Sequence, residues 1–201
     1  AYTALETATK TLVKADELKI LTDLEKAVAA QVVVEKKAAT TVTNTINKVV
    51  ASTDVAAYET LINTARDAYD ALEELSAEAV AHVTAATVTK LENNENALVV
   101  AKAINTFLNE TATTAKIEAA ENAATVTEIE AAYKAAVDAY TALASAEKSL
   151  VKNYTLLAPV KKAIDLKALS FANAGDLAKW TTPFEKIEEY EVKTVTETDF
   201  T

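Results

Sequence analysis

The side chains able to do chemistry are few, and they are scattered. His82 is the only histidine of the chain, and there is no cysteine. One imidazole without thiolates supplies neither a zinc site, which takes three or four nitrogen and sulfur ligands, nor a Cys–His pair. No Ser-His-Asp arrangement surrounds Ala79-Val-Ala-His-Val83, so His82 reads as a surface or boundary residue. The run Glu92-Asn93-Asn94-Glu95-Asn96 could offer oxygens to Ca²⁺. It lacks the glycine and the spaced acids of a Ca²⁺ loop and falls on a predicted helix, so it reads as a solvated helix face. Glu185, Glu188, Glu189 and Glu191 could supply paired carboxylates for acid–base work. They fall on a short segment with no pocket partners and read as solvated too. Asn109-Glu-Thr111 and Asn153-Tyr-Thr155 match the acceptor triplet for N-glycosylation, which matters only in some export pathways. No catalytic, cofactor-binding or metal-binding residue is assigned on this reading. No cofactor and no enzymatic activity are expected.

Tyr2, Tyr69 and Tyr140 lead from single residues to organisation. Each is the second residue of a repeated phrase: Ala1–Leu5 reads AYTAL, Ala68–Leu72 reads AYDAL and Ala139–Leu143 reads AYTAL. Recurrence about every 70 residues marks a tandem array of modules. Packing, rather than a binding row, is the expected role of these tyrosines. The echoes continue downstream. Leu12-Val13-Lys14 lies as far beyond Tyr2 as Leu150-Val151-Lys152 lies beyond Tyr140. Three pairs spaced by seven follow the phrases: Leu21 and Val28, Leu91 and Leu98, Leu157 and Ile164.

The elements that carry this pattern are predicted to be helices. The chain has 1 Gly and 2 Pro in 201 residues, too few for the tight turns of a sheet protein. Half of it is hydrophobic, much of that being Ala, the best helix former. An Ala-rich core lets backbones approach closely but buries little area per residue, which suits narrow bundles. Abundant Thr and Val lower intrinsic helicity, so packing must hold the helices. Val55, Tyr58, Ile62, Ala65, Tyr69 and Leu72 alternate by three and four along one helix face, with Ser52-Thr53-Asp54 as caps. Ile129, Tyr133, Ala136, Tyr140 and Leu143 do the same, with Thr127 as the expected cap. Breaks are expected near Leu75-Ser76 and Ala144-Ser145, and turns near Thr84–Thr87 and Asn153–Thr155. Pro159 must stand near a helix start.

Two stretches, Asp16–Ala51 and Val88–Ala123, show only weak breaks, the clearest being Thr111–Thr114. The simplest expectation is that the last helix of one module continues as the first of the next. A helix of 36 residues would be ~54 Å long. The only glycine, in Phe171–Asp176, is expected to end the last bundle helix. Thr182-Pro183 then starts a short helix over Phe184–Val192, and Thr194–Thr201 reads as extended. The predicted core is Ile62, Tyr69, Leu72, Leu91 and Leu98 in one module, and Ile129, Tyr140, Leu143, Leu157 and Ile164 in the next. The fold expected is all-α: tandem three-helix bundles linked by continuous helices in an elongated rod. Residues 1–30 would end a partial module, 31–105 and 106–170 would be bundles, and 171–201 a tail leading to a following domain.

The net charge of −10, with Arg66 the only arginine, argues against a nucleic-acid partner. No run of about 18 apolar residues is present to span a membrane. Opening within a repeat phrase is the expectation for a piece of a longer polypeptide.

Ala65-Arg-Asp-Ala-Tyr-Asp-Ala-Leu72, Ser145-Ala-Glu-Lys-Ser-Leu-Val-Lys-Asn153 and the pair Leu157 and Ile164 together carry a resemblance. Over residues 1–168 the chain resembles the triple-helix-bundle region of surface-layer (S-layer) proteins from Gram-positive bacteria, bacilli in particular. The resemblance implies a secreted, extracellular structural protein of the cell wall and S-layer. It implies a non-catalytic, coiled-coil-like spacer that positions assembly domains relative to the cell wall. Implied partners are other copies of the parent protein, through flanking domains, and the secondary cell wall polymer. The match lies in the packing phrase, so no binding residue transfers with it. The alternative is a binding module whose bundles recognise a cell wall polymer or a host protein.

Overall fold

Stretches rich in Ala, Leu, Glu and Lys alternate with short clusters of Ser, Thr, Asn and Asp, and the helices follow that punctuation. A computed structural model of the chain describes residues 14–184. Helix α1 covers Ala15–Asn47, α2 Val55–Leu75, α3 Ala77–Ala81 and α4 Ala85–Thr106. One π-helical turn, Phe107–Thr111, prolongs α4, and Ala112 N donates back to Phe107 O at 2.8 Å. Then come α5 (Thr114–Glu118), α6 (Ala123–Ala142), α7 (Ser145–Lys148), a 3₁₀ turn (Lys152–Leu156) and α8 (Leu157–Phe184). The described residues are all-helical, with no strand. None has a positive φ, so no turn among them requires a glycine.

Side-chain caps set most of the boundaries. Asp54 Oδ1 accepts from Ala57 N at 3.0 Å to start α2, and Ser52 Oγ accepts from Asp54 N at 3.0 Å. Ser76 closes α2 and opens α3, accepting from Ala79 N at 2.9 Å. Thr84 caps α4 through Thr87 N at 3.2 Å, and Thr113 caps α5 through Lys116 N at 3.2 Å. The cap of α6 is Asn122, which accepts from Thr125 N at 3.0 Å, and not Thr127. Thr127 lies inside the helix, its hydroxyl donating to Ala123 O at 2.9 Å. Asn is the stronger cap, and Ala123-Ala124 lets the helix begin directly after it.

Further expectations about helix ends are corrected. Helix α1 stops at Asn47 instead of running to residue 51, because the Ser52–Asp54 caps start a new helix. The stretch 88–123 is helical only to Thr111, after which Thr113 and Asn122 begin new helices. At the other end, α8 does not stop in Phe171–Asp176 and no new helix starts at Thr182-Pro183. It runs through Gly175 to Phe184. One glycine in a helix costs about 1 kcal/mol, a weakening and not a break. The expected elements beyond residue 184 lie outside the described residues.

By packing, the chain divides into two units: Ala1–Val99 with Leu143–Lys152, and Val100–Ala142 with Asn153–Thr201. In the first, α1 packs on α2 and α3. It does so through Ala39, Val42 and Ile46, followed by Val49. All six predicted positions of α2, from Val55 to Leu72, are buried, as are Leu91 and Leu98 of α4. In the second unit α6 packs on α8, and α5 on α8 as well. Ile129, Leu157 and Ile164 are buried there as predicted, with Ile104 and Phe107. Tyr140 is only half-buried, as is Leu143, which belongs to the first unit. Leu143 falls past the end of α6, and the Tyr140 ring lies stacked on Tyr154 with centroids 3.6 Å apart. Pro159 is the third residue of α8, where the missing N–H has no helical partner to lose.

Candidate functional site

The polar run of α4 carries several side-chain bonds to other helices. Five successive helical residues point in different directions around the axis, and three of them, Asn94, Glu95 and Asn96, each meet a different neighbour. Asn94 faces inward and is buried. The hydroxyl of Tyr58 on α2 donates to its Oδ1 at 2.7 Å, and Asn94 Nδ2 donates to Lys90 O at 2.7 Å. Burial pushes the Tyr58 hydroxyl up to about 12. Glu95 takes a two-pronged bond from Arg66 of α2, Nε to Oε1 at 2.6 Å and Nη2 to Oε2 at 2.5 Å. That bond raises the Arg66 pKa, while partial burial opposes the shift. The guanidinium also lies over the Tyr69 ring, 5.5 Å from its centroid.

Asn96 turns the other way and donates to Glu147 Oε1 at 2.7 Å. Glu147 in turn accepts from the backbone of Ala144 at 2.7 Å, which caps α7. These two donors hold the Glu147 carboxyl below its ordinary range. Just before the run, Lys90 Nζ reaches Asn47 Oδ1 at 3.1 Å and so ties α4 to the end of α1. The expectation of a solvated face holds for Glu92, which is exposed, and is corrected for Asn94, Glu95 and Asn96, which tie helices together. The run's carboxylate nearest the core, Glu95, is already neutralised by Arg66. Among the described residues no three His, Cys, Asp or Glu side chains are grouped to hold a metal ion.

A second tie escaped the sequence reading. Glu35 of α1 is buried and accepts from Gln31 Nε2 at 2.9 Å and from Ser76 Oγ at 2.9 Å. It thus joins α1 to the junction of α2 and α3. The signal was present: Glu35 stands on the three–four stripe with Ala39, Val42 and Ile46, where a charged residue must find partners inside. Asn94 occupies the same kind of place between Leu91 and Leu98. In the second unit Asn153 is buried, with Nδ2 donating to Ala101 O at 2.8 Å and Oδ1 left without a protein partner. Of the two glycosylation triplets, the Asn153 side chain is therefore sequestered. Asn109 is exposed within the π turn, and its Nδ2 donates to Asn105 Oδ1 at 3.0 Å.

His82 is exposed in the turn after α3, where its backbone N–H closes the helix on Ala79 O at 3.1 Å. Tyr69 is buried in the core, so Tyr69 and Tyr140 form no exposed row. Tyr2 and Glu185, Glu188, Glu189 and Glu191 lie outside the described residues.

A groove of about 430 Å³ runs between α6 and α8 and is open to solvent. Tyr133 and Val137 form its floor, with Glu130, Lys134 and Lys161 at its edges. Both lysines are engaged: Lys134 with Asp138 at 2.5 Å, and Lys161 with Asp165 and with Glu130 at 3.7 Å. The bond to Asp165 raises the Lys161 pKa. Among the charged groups at the groove's edges, Glu130 pairs with Lys161, while Lys134 pairs with Asp138 outside the lining. The polar ties of α4 act on packing. Comparison with protein-family models, with curated proteins and with solved structures finds no match.

Proposed function

We propose that this chain is a structural, non-catalytic spacer from an exported bacterial surface-layer protein. On this reading it is a rod of tandem three-helix bundles that holds assembly domains at a set distance from the cell wall. Its partners are further copies of the parent protein, met through the flanking domains, and the secondary cell wall polymer.

One observation carries the reading. Helix α4 contributes residues up to Val99 to the first unit and from Val100 to the second, without a break at that point. A shared helix is the economical way to couple successive modules of a repeat. The polar residues support the same view, since Tyr58, Arg66, Asn94, Glu95 and Glu147 are spent on joining helices to each other.

The test interrupts that helix where little packing is lost. Val99 is 69% exposed, so Val99→Pro breaks the backbone ladder with small loss of contacts. Spin labels at the exposed positions Glu74 and Glu128, one in each unit, report the distance between units. A single narrow distance in the native chain, broadened by Val99→Pro and kept by Val99→Ala, is the expected result. A broad distribution in the native chain would reject the spacer, as would a radius of gyration near the ~17 Å of a 200-residue globule.

A further inference from the structure

Helix α1 is apolar along a stripe much longer than its packed part. Its second half buries Glu35, Ala39, Val42 and Ile46, whereas no residue from 15 to 34 is buried. Yet Leu18, Leu21, Leu24, Val28 and Val32 continue the same stripe upstream at intervals of three and four. Leu21 is 37% exposed, Leu24 59% and Val28 63%. A row of large aliphatic side chains in water, continuous with a packed seam, is a surface built to be covered.

The internal repeat says what covers it. Leu21 and Val28 hold the seven-spaced places of Leu91 and Leu98 in α4, and of Leu157 and Ile164 in α8. Those four side chains are 0%, 8%, 2% and 0% exposed. In each case the helix that carries the repeated phrase lies upstream of the pair and is joined to its helix. Helix α2 is tied to α4 through Tyr58–Asn94 and Arg66–Glu95, and α6 packs on α8. In sequence, the phrase Ala1–Leu5 precedes α1 in the same way. We infer that the Leu21–Leu24–Val28 face is a docking surface for a helix of the α2 kind, supplied by a further module of this repeat. The inference rests on the tandem-module reading proposed above. It also sets a specificity: Leu24 stands where α4 has Asn94, so the docking helix presents an apolar group in place of the Tyr58 hydroxyl.

The test supplies the missing helix. A copy of residues 52–67, with Tyr58→Phe in the copy, is fused ahead of Ala1 so that Ala1–Leu5 completes the phrase. A second extension uses residues 123–138 in the same position. Hydrogen exchange is followed at residues 18–32, with residues 35–46 as the internal check that the first unit is folded. At least one extension should slow exchange over 18–32 by about tenfold or more. Leu21→Glu with Val28→Glu should abolish that gain, yet leave residues 35–46 unchanged in the unextended chain. No slowing with either extension overturns the inference. So does a dimer of the unextended chain that the same double substitution dissolves, because the face would then belong to a second copy. Neither result bears on the distance between units measured with Val99→Pro, so this failure is distinct from failure of the spacer.

Discussion

At the scale of single residues, the polar side chains of this protein work as fasteners. The Tyr58–Asn94 bond is buried, so removing one half leaves the other unsatisfied. Tyr58→Phe should lower stability by about 1–3 kcal/mol, and adding Asn94→Leu should restore part of the loss, because paired apolar groups need no partner. Denaturant melts of the single and double variants measure this. The same hydroxyl gives a pH signature. Its pKa is raised from 10.0 to about 12 in the folded protein, so folding holds the proton more tightly. The stabilisation is full below pH 10 and is lost as pH rises towards about 12. Native protein should therefore lose stability across that window more steeply than Tyr58→Phe, which shares every lysine. Glu147 shifts the other way, and its contribution is present above the ordinary carboxylate range and lost on acidification. Asn96→Ala should bring its titration back up, as followed by side-chain NMR.

At the scale of elements, caps and seams decide where each helix lies. Asp54→Ala removes the cap of α2 and should cost about 0.5–2 kcal/mol, read by chemical denaturation. The seam of α2 was legible in the sequence because its six buried positions follow the three–four spacing without interruption. The cap of α6 was misread because Asn122 and Thr127 both suit the role, and the choice depends on where the backbone turns after α5. The end of α8 was misread for a related reason. A lone glycine is a weak breaker, and local propensity does not outweigh a helix that is continuous on both sides of it.

For the whole molecule, the two units supply separate cores. Leu98 belongs to the first and Ile164 to the second, both buried. Leu98→Ala and Ile164→Ala should each cost about 2–5 kcal/mol, the usual range for emptying a packed aliphatic site. Hydrogen exchange should place each loss mainly in the unit that holds the residue. A loss spread evenly over both units in both variants would show that the cores are one.

The helical class of this protein and its apolar stripes were determined by the sequence alone. They depend on spacing and composition, which act locally: one Gly in 201 residues and a stripe from Val55 to Leu72 leave little choice of backbone. Tertiary structure decided which polar residues became ties. Glu35 and Asn94 stand on apolar stripes and Asn153 does not, but in none of the three does the local sequence name the partner that the side chain meets. Each is buried only because a second helix meets it, Ser76 reaching Glu35 and Tyr58 reaching Asn94, while the amide of Asn153 bonds the Ala101 carbonyl. Likewise Tyr69 is buried and Tyr140 is not, although both stand in the same phrase. Burial depends on the distance to another element, and that distance is set by how helices pack.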